Sequence, residues 1–283
     1  MVVRMRTVLS ILCLVLVAAG AAMPGDSSSR PYLALGDSVV FGFINNAGYE
    51  YGNPENFVGF PDYVGRRLKL NDFNAACPGE TTGSFLSETA PDIGCRAFKV
   101  LAPLHVDYPS TQAEYALAFL AKHPETRLVT ILLGANDVFL LQDFCMGDQT
   151  CFANGLPQVL ATVSTNIATI LDKIRDAGYK GIIVVANYYS LDYTDASGTQ
   201  ITELLNQAVS VPAQAKGVVV ADVFTAFYTA ASVAGGETCK AGLLNASAQN
   251  QFTCDVHPSQ SGQKLIARAV DAAFASAIRR MRE

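Results

Sequence analysis

The 283-residue chain contains none of the short patterns that announce nucleotide or metal chemistry. It has no Gly-Lys-Ser/Thr phosphate loop and no G-x-G-x-x-G turn, so the backbone cradles that hold phosphates are missing. It has no H-E-x-x-H, and no two of its cysteines stand in C-x-x-C spacing, so zinc ligation is disfavoured. No cofactor and no metal are expected. The G-x-S-x-G elbow, which presents a serine on one large class of strand-turn-helix hydrolases, is absent too. Charged residues make up only 16% of the chain against 50% hydrophobic, which excludes disorder and suits one large globular core. There is no internal repeat, no low-complexity tract and no linker that would divide the chain.

The N-terminus reads as an export signal. Arg4 and Arg6 precede an apolar run from Val8 to Val17, followed by small residues from Ala18 to Ala22 that offer an Ala-x-Ala-like cleavage site. Residues 1–22 are therefore set apart, leaving a single domain over 23–283 and a secreted, extracellular location. Cys13 lies inside this segment behind Ile11-Leu12, which lacks the small residue a lipid-attachment cysteine wants. Cleavage leaves 18 basic against 25 acidic residues, a net charge near −7, which argues against nucleic acid as a partner. The best later membrane candidate, Gly217 to Gly236, is interrupted by Asp222, so stable membrane insertion after cleavage is not expected. Six cysteines remain in a chain bound for an oxidising compartment. Many connectivities are open to them; neighbour pairing, Cys77 with Cys95, Cys145 with Cys151 and Cys239 with Cys254, closes a loop between predicted elements each time.

Short β-branched runs alternate with amphipathic stretches, the pattern of an α/β domain with a mainly parallel sheet. Five strands are predicted at Tyr32–Leu35, Asp72–Ala75, Leu128–Leu133, Gly181–Ala186 and Val218–Asp222. Helices are predicted around Phe57–Lys69, Thr111–Lys122, Leu156–Ala177, Ile201–Lys216 and Gln260–Arg280. Long connections at 40–56, 79–110, 139–155, 187–200 and 225–258 are candidates for functional loops.

Serine chemistry needs a base to take the hydroxyl proton and donors to hold the oxyanion that forms on the attacked carbonyl. Suitable residues stand at strand ends. Gly36-Asp37-Ser38 follows the first strand, Asn74 to Gly79 ends the second, and Gly134-Ala135-Asn136-Asp137 follows the third. With strand order 2-1-3-4-5, the crevice where the order reverses lies between strands 1 and 3, flanked by Ser38 and Asn136 with Gly79 beside them. Of the three histidines, His123 ends a helix and His105 sits in a long loop with no companion motif. His257, in Cys254-Asp255-Val256-His257-Pro258 ahead of the last helix, is the best candidate base, set at the sheet edge by a short loop.

These blocks, in this order, resemble the SGNH hydrolase superfamily, the GDSL-type esterases and lipases, and in particular its secreted, disulfide-containing bacterial type. Gly36-Asp37-Ser38-Val39 is similar to the first block, with Val39 where the name-giving motif has leucine. Asn74 to Gly79 resembles the glycine block, Gly134 to Asp137 the Gly-x-Asn-Asp block, and Asp255 to Pro258 the His-Pro block. The resemblance runs from residue 31 to about 270. It implies a three-layer α/β/α flavodoxin-like fold and hydrolysis of carboxylic esters through an acyl-enzyme on Ser38. It further implies that Ser38 and Gly79 donate backbone N–H groups and Asn136 its side-chain amide to the oxyanion hole, with His257 as general base. Asp37 and Asp137 read instead as turn-forming acceptors. The sequence departs from the family at the acid: the usual Asp-x-x-His would need Asp at 254, where Cys254 stands. Either Asp255 orients the imidazole from a shifted register, or a backbone carbonyl near 254–255 does.

Aromatic residues gather at Phe41, Phe43, Tyr49, Tyr51 and Phe57 and again at Tyr188, Tyr189 and Tyr193. They either line an acyl pocket or pack their own loops. The expected partner is a small-molecule or lipid ester. The alternatives are a carbohydrate acetyl esterase acting on an external glycan and a catalytically silent binding protein that keeps the fold.

Overall fold

The computed structural model describes residues 29–247 and 253–282; the predicted export segment lies outside the described residues. Five parallel strands form one sheet: β1 (Pro31–Gly36), β2 (Asn71–Asn74), β3 (Leu128–Leu132), β4 (Ile182–Ala186) and β5 (Val219–Ala221). Their order is β2-β1-β3-β4-β5, the order under which the crevice falls between the first and third strands. Every residue of β1, β3 and β4 is buried, because a parallel sheet covered on both faces has no solvated side. That double burial is why these strands read as unbroken apolar runs.

Helices cover both faces. The long helices α5 (Gln112–Lys122), α7 (Gln149–Asp176) and α8 (Ala196–Ala215) lie on one side; α2 (Phe60–Leu68), α9 (Val223–Ala231) and α10 (Gln260–Arg280) pack together on the other. The three layers match the expected α/β/α architecture. Helix starts follow local chemistry: Thr111, Asp148, Asp195 and Ser259 each accept backbone N–H bonds at an N-cap.

The stretches expected as long connections are more structured than the sequence suggests. Segment 40–56 continues a short α1 (Ser38–Phe41) and holds two 3-10 turns; 79–110 contains α3 (Thr82–Leu86) and α4 (Cys95–Leu101). Segment 139–155 is not a loop at all. It completes α6 (Ala135–Cys145) and opens α7, seven residues earlier than the predicted start at Leu156. A start at Leu156 would place Pro157 in the first turn, where proline is tolerated. Instead it sits inside α7, where the lost hydrogen bond costs about 3 kcal/mol. Packing of α7 against α6 and α8, and the Cys145–Cys151 bridge across the turn, offset it. The last connection, 225–258, supplies α9 and an antiparallel pair, β6 (Leu244–Ala246) with β7 (Cys254–Pro258). His257 therefore rides on a strand rather than in a short loop. The other two bridges join Cys77 to Cys95 and Cys239 to Cys254, the pairing expected from neighbours. Among the described residues no helix is long and apolar enough to cross a membrane.

Candidate active site

Ser38 is the first residue of α1, directly after β1. The turn depends on Gly36, whose φ is +151°; a Cβ there would stand 2.3 Å from the Leu132 carbonyl oxygen of β3. Asp37, only 1% exposed, caps the short helix by accepting the Val39 N–H at 2.9 Å and takes a second bond from the Tyr188 hydroxyl at 2.5 Å. Burial pushes its carboxyl up to about 6, against the pull of those two donors. It acts as the turn-forming acceptor expected from the sequence. From below, Gln263 of α10 donates to the Val39 carbonyl and accepts from Phe60 N–H, so α1 is tied to two helices of one layer.

His257 reaches this turn from β7. Its Nε2 lies 3.0 Å from Ser38 Oγ, and its Nδ1 lies 3.2 Å from Asp255 Oδ1. The same carboxylate oxygen accepts the His257 backbone N–H at 2.6 Å, which folds Asp255 back along its own strand and explains how a residue two positions away reaches the ring. The Tyr189 hydroxyl donates to the Val256 carbonyl at 2.7 Å, and Phe43 packs on the imidazole with centroids 5.0 Å apart.

Gly79 follows β2 with φ +84°. Any Cβ there would come within 2.8 Å of the Ile93 carbonyl, so only glycine fits this turn at the cleft. Asn136, in the first turn of α6, is 7% exposed and donates one amide hydrogen to the Glu80 carbonyl at 2.8 Å; the second hydrogen of that amide is left for another acceptor. Asp137 accepts from Thr82 N–H and hydroxyl at 2.9 and 2.6 Å, and burial raises its carboxyl. It ties α6 to the start of α3, where the sequence suggests an acceptor within its own turn.

Ser38, Gly79, Asn136 and His257 thus line one cleft of about 630 Å³. Within this cleft the Ser38 hydroxyl is hydrogen-bonded to the His257 imidazole, the pairing of nucleophile and base that acyl transfer uses. Among the described residues the one cluster with metal-binding proximity is Cys77, Cys95 and Glu80. Its two sulfurs are bonded to each other, so it offers no thiolate.

Residues 34–265 match the GDSL-like lipase/acylhydrolase family. The chain belongs to that family of ester hydrolases. No curated protein matches its sequence, but solved structures share the fold of this GDSL-family chain. They include LAE5, an alpha/beta hydrolase enzyme from the metagenome of Lake Arreo, Spain, at 14% identity and TM-score 0.56, covering 89% of this chain and 98% of that one. Axe2, an acetylxylan esterase from Geobacillus stearothermophilus, aligns at 16% identity and TM-score 0.54 over 87% and 94% of the two chains. The lipase Lip_vut3 from a goat rumen metagenome aligns at 18% identity and TM-score 0.53 over 87% and 97%.

The aromatic residues of the GDSL-family chain divide between the two roles left open by the sequence. Phe43, Tyr188 and Tyr189 line the cleft. Phe41 and Phe57 are buried, Tyr51 stacks on Phe57, Tyr193 donates to the Phe224 carbonyl, and Tyr49 is 91% exposed. Much of the cleft wall is unforeseen: Ile93 and Phe98 come from the stretch around α4, Val138 and Phe139 from α6, and Ile201 and Leu205 from α8. The continuous apolar run Val138-Phe139-Leu140-Leu141 after Asn136 is the sequence signal for this part of the wall. Gln112, fully buried, accepts from Gly36 N–H and donates to the Gly36 carbonyl at 2.6 and 3.0 Å. No sequence pattern marks it.

Proposed function

We propose that the protein is a secreted serine esterase or lipase, hydrolysing carboxylic esters through an acyl-enzyme on Ser38. The 3.0 Å contact between His257 Nε2 and Ser38 Oγ, inside a cleft that also holds Gly79 and Asn136, carries this reading. Ser38 Oγ attacks the ester carbonyl carbon while its proton passes to His257 Nε2. The carbonyl oxygen gains the charge and is held by the N–H groups of Ser38 and Gly79 and the free amide hydrogen of Asn136. The C–O bond to the alcohol then breaks, and the imidazolium gives its proton to the departing oxygen. Water repeats the sequence on the acyl-enzyme, releasing the acid. Asp255 holds the ring at Nδ1 and stabilises the imidazolium.

The cleft wall of Phe43, Ile93, Phe98, Val138, Phe139 and Leu205 favours an apolar acyl group, because burying each methylene contributes about 0.8 kcal/mol. The disulfides support an oxidising compartment, consistent with cleavage of residues 1–22 and a single domain over 23–283. The acidic balance of that domain argues against nucleic acid.

The test is hydrolysis of p-nitrophenyl esters of graded chain length by the wild type and by Ser38→Ala. The wild type is expected to prefer chains longer than acetate, and the variant to lose nearly all turnover. Equal rates for the two proteins would end the assignment. A profile confined to acetate would move it to the carbohydrate acetyl esterase, and inactivity on all esters to the silent binding protein.

A further inference from the structure

Glu80 is 2% exposed, follows Gly79 directly, and takes no part in the mechanism above. A carboxylate in so dry a place is costly unless its oxygens are bonded. They are. Oε1 accepts the Ser84 hydroxyl in a short hydrogen bond, and Oε2 accepts from Gln112 Nε2 at 3.1 Å, with Cys95 Sγ 3.5 Å away. The orientation of the Gln112 amide is fixed from the other side, since its Oε1 accepts the Gly36 N–H and its Nε2 donates to the Gly36 carbonyl. Turning the amide over would put N–H against N–H and oxygen against oxygen. Its remaining Nε2 hydrogen therefore points to Glu80 by necessity.

The consequence is a continuous link across the sheet edge. Gly36 stands two residues before Ser38. Glu80 stands one residue after Gly79, and its own carbonyl oxygen receives the Asn136 amide at 2.8 Å. One buried side chain and its backbone thus connect the supports of all three proposed oxyanion donors.

We propose that Glu80, acting through Gln112, is a positioning residue that sets the oxyanion turn at Gly79 and Asn136 against the nucleophile turn, and that it does so in its ionised form. This rests on the reading of Ser38, Gly79 and Asn136 given above. The ionised form accepts both bonds as they stand, one from Gln112, whose amide nitrogen can only donate, and one from the Ser84 hydroxyl; a neutral acid would have to turn its own proton onto Ser84 Oγ and reverse that bond. Burial opposes that form and pushes the carboxyl up to about 7; the bonds from Ser84 and Gln112 pull it down. Lys99 of α4 also favours the charge and Asp92, in the turn before α4, disfavours it. Tyr108, ahead of α5, faces Glu80 as a neutral phenol, pushed well above its ordinary range chiefly by burial and further by Glu80. Near neutral pH the lock is consequently part charged and part neutral, and it tightens as pH rises.

Two variants test this, read as kcat and KM against pH between 5 and 9. Wild-type kcat is expected to fall on the acid side with two protonations, one at His257 and one at Glu80. Glu80→Gln keeps the shape but replaces one acceptor by a donor. It is expected to lower kcat on the order of 10- to 100-fold through misplacement of the donors, with KM little changed, and to leave an acid limb with a single protonation. Ser84→Ala removes a donor from the carboxylate without touching Gln112, so the acid limb should move to higher pH while the high-pH plateau is kept. This second variant also carries the test should Glu80→Gln fail to fold. Wild-type kcat and an unchanged pH profile in Glu80→Gln, or an unmoved limb in Ser84→Ala, would overturn the proposal. Activity surviving in Ser38→Ala overturns the nucleophile assignment instead, so the two failures are distinguishable.

Discussion

At the scale of single residues, the position of Asp255 is the departure that matters most. In the resembling family the acid stands three residues before the histidine; here Cys254 occupies that place and is bonded to Cys239. A residue two positions away on an extended strand points the same way as the histidine, because side chains alternate with a period of two. Asp255 therefore shares a face with His257, and its Oδ1 spans both the backbone N–H and the ring Nδ1 of that residue. If this contact orients the ring, Asp255→Ala should lower kcat on the order of 100-fold or more with KM nearly constant. Retention of wild-type kcat would instead assign the orientation to a backbone carbonyl. The sequence left that alternative open because it did not show that 254–258 is a strand; its pairing with β6 joins Leu244 to Pro258 and Ala246 to Cys254 and leaves no local pattern.

At the scale of elements, the three bridges differ in exposure and therefore in consequence. Cys77 and Cys95 are buried at 0% and 3%, while Cys239 and Cys254 are half-buried. Reductant should reach the 239–254 bridge before the 77–95 bridge. That bridge anchors β7 three residues from His257, whereas the parallel sheet does not depend on it. Mild reduction is expected to lower turnover while the far-ultraviolet circular dichroism holds. Mass spectrometry should find free thiols at 239 and 254 in the same sample. Full turnover with those thiols free would refute it. Neighbour pairing of the cysteines was legible as the favoured one of many connectivities, because each such pair closes a loop between predicted elements. The extent of α7 was not, because Pro157 is a local stop signal that packing between α6, α7 and α8 overrides.

At the scale of the whole molecule, carboxyl groups with resolved shifts all move the same way. Burial raises Asp37, Asp62, Asp72, Glu80, Asp137 and Asp271, with Asp37 reaching about 6 and Glu80 about 7. A carboxyl whose folded pKa exceeds its unfolded value holds its proton longer in the native state, so stability is greatest in acid and falls as pH rises through the window between the two values. For Asp37 and Glu80 that window spans about pH 4 to 7, and each contributes on the order of 3 kcal/mol. The urea midpoint is expected to be higher at pH 5 than at pH 7.5; an equal or lower midpoint at pH 5 would contradict it. In the proposed mechanism catalysis runs the other way, since it needs a free base at His257 and a charged Glu80. The buried acids beside the site therefore set stability against activity.

The sequence by itself determined the layered α/β class, the positions of its strands, the favoured cysteine pairing and the residues to examine. These are encoded in short windows: apolar runs that end in Gly36-Asp37-Ser38 or Gly134-Ala135-Asn136, and cysteines spaced across turns. Only the tertiary structure decided what the cleft is made of and what holds it in shape. Ile93, Val138 and Leu205 become one wall, and Gln112 joins Gly36 to Glu80, through contacts between segments tens of residues apart. Such contacts depend on how helices settle against the sheet, and burial and hydrogen bonding act on the neighbours a side chain meets in space rather than along the chain.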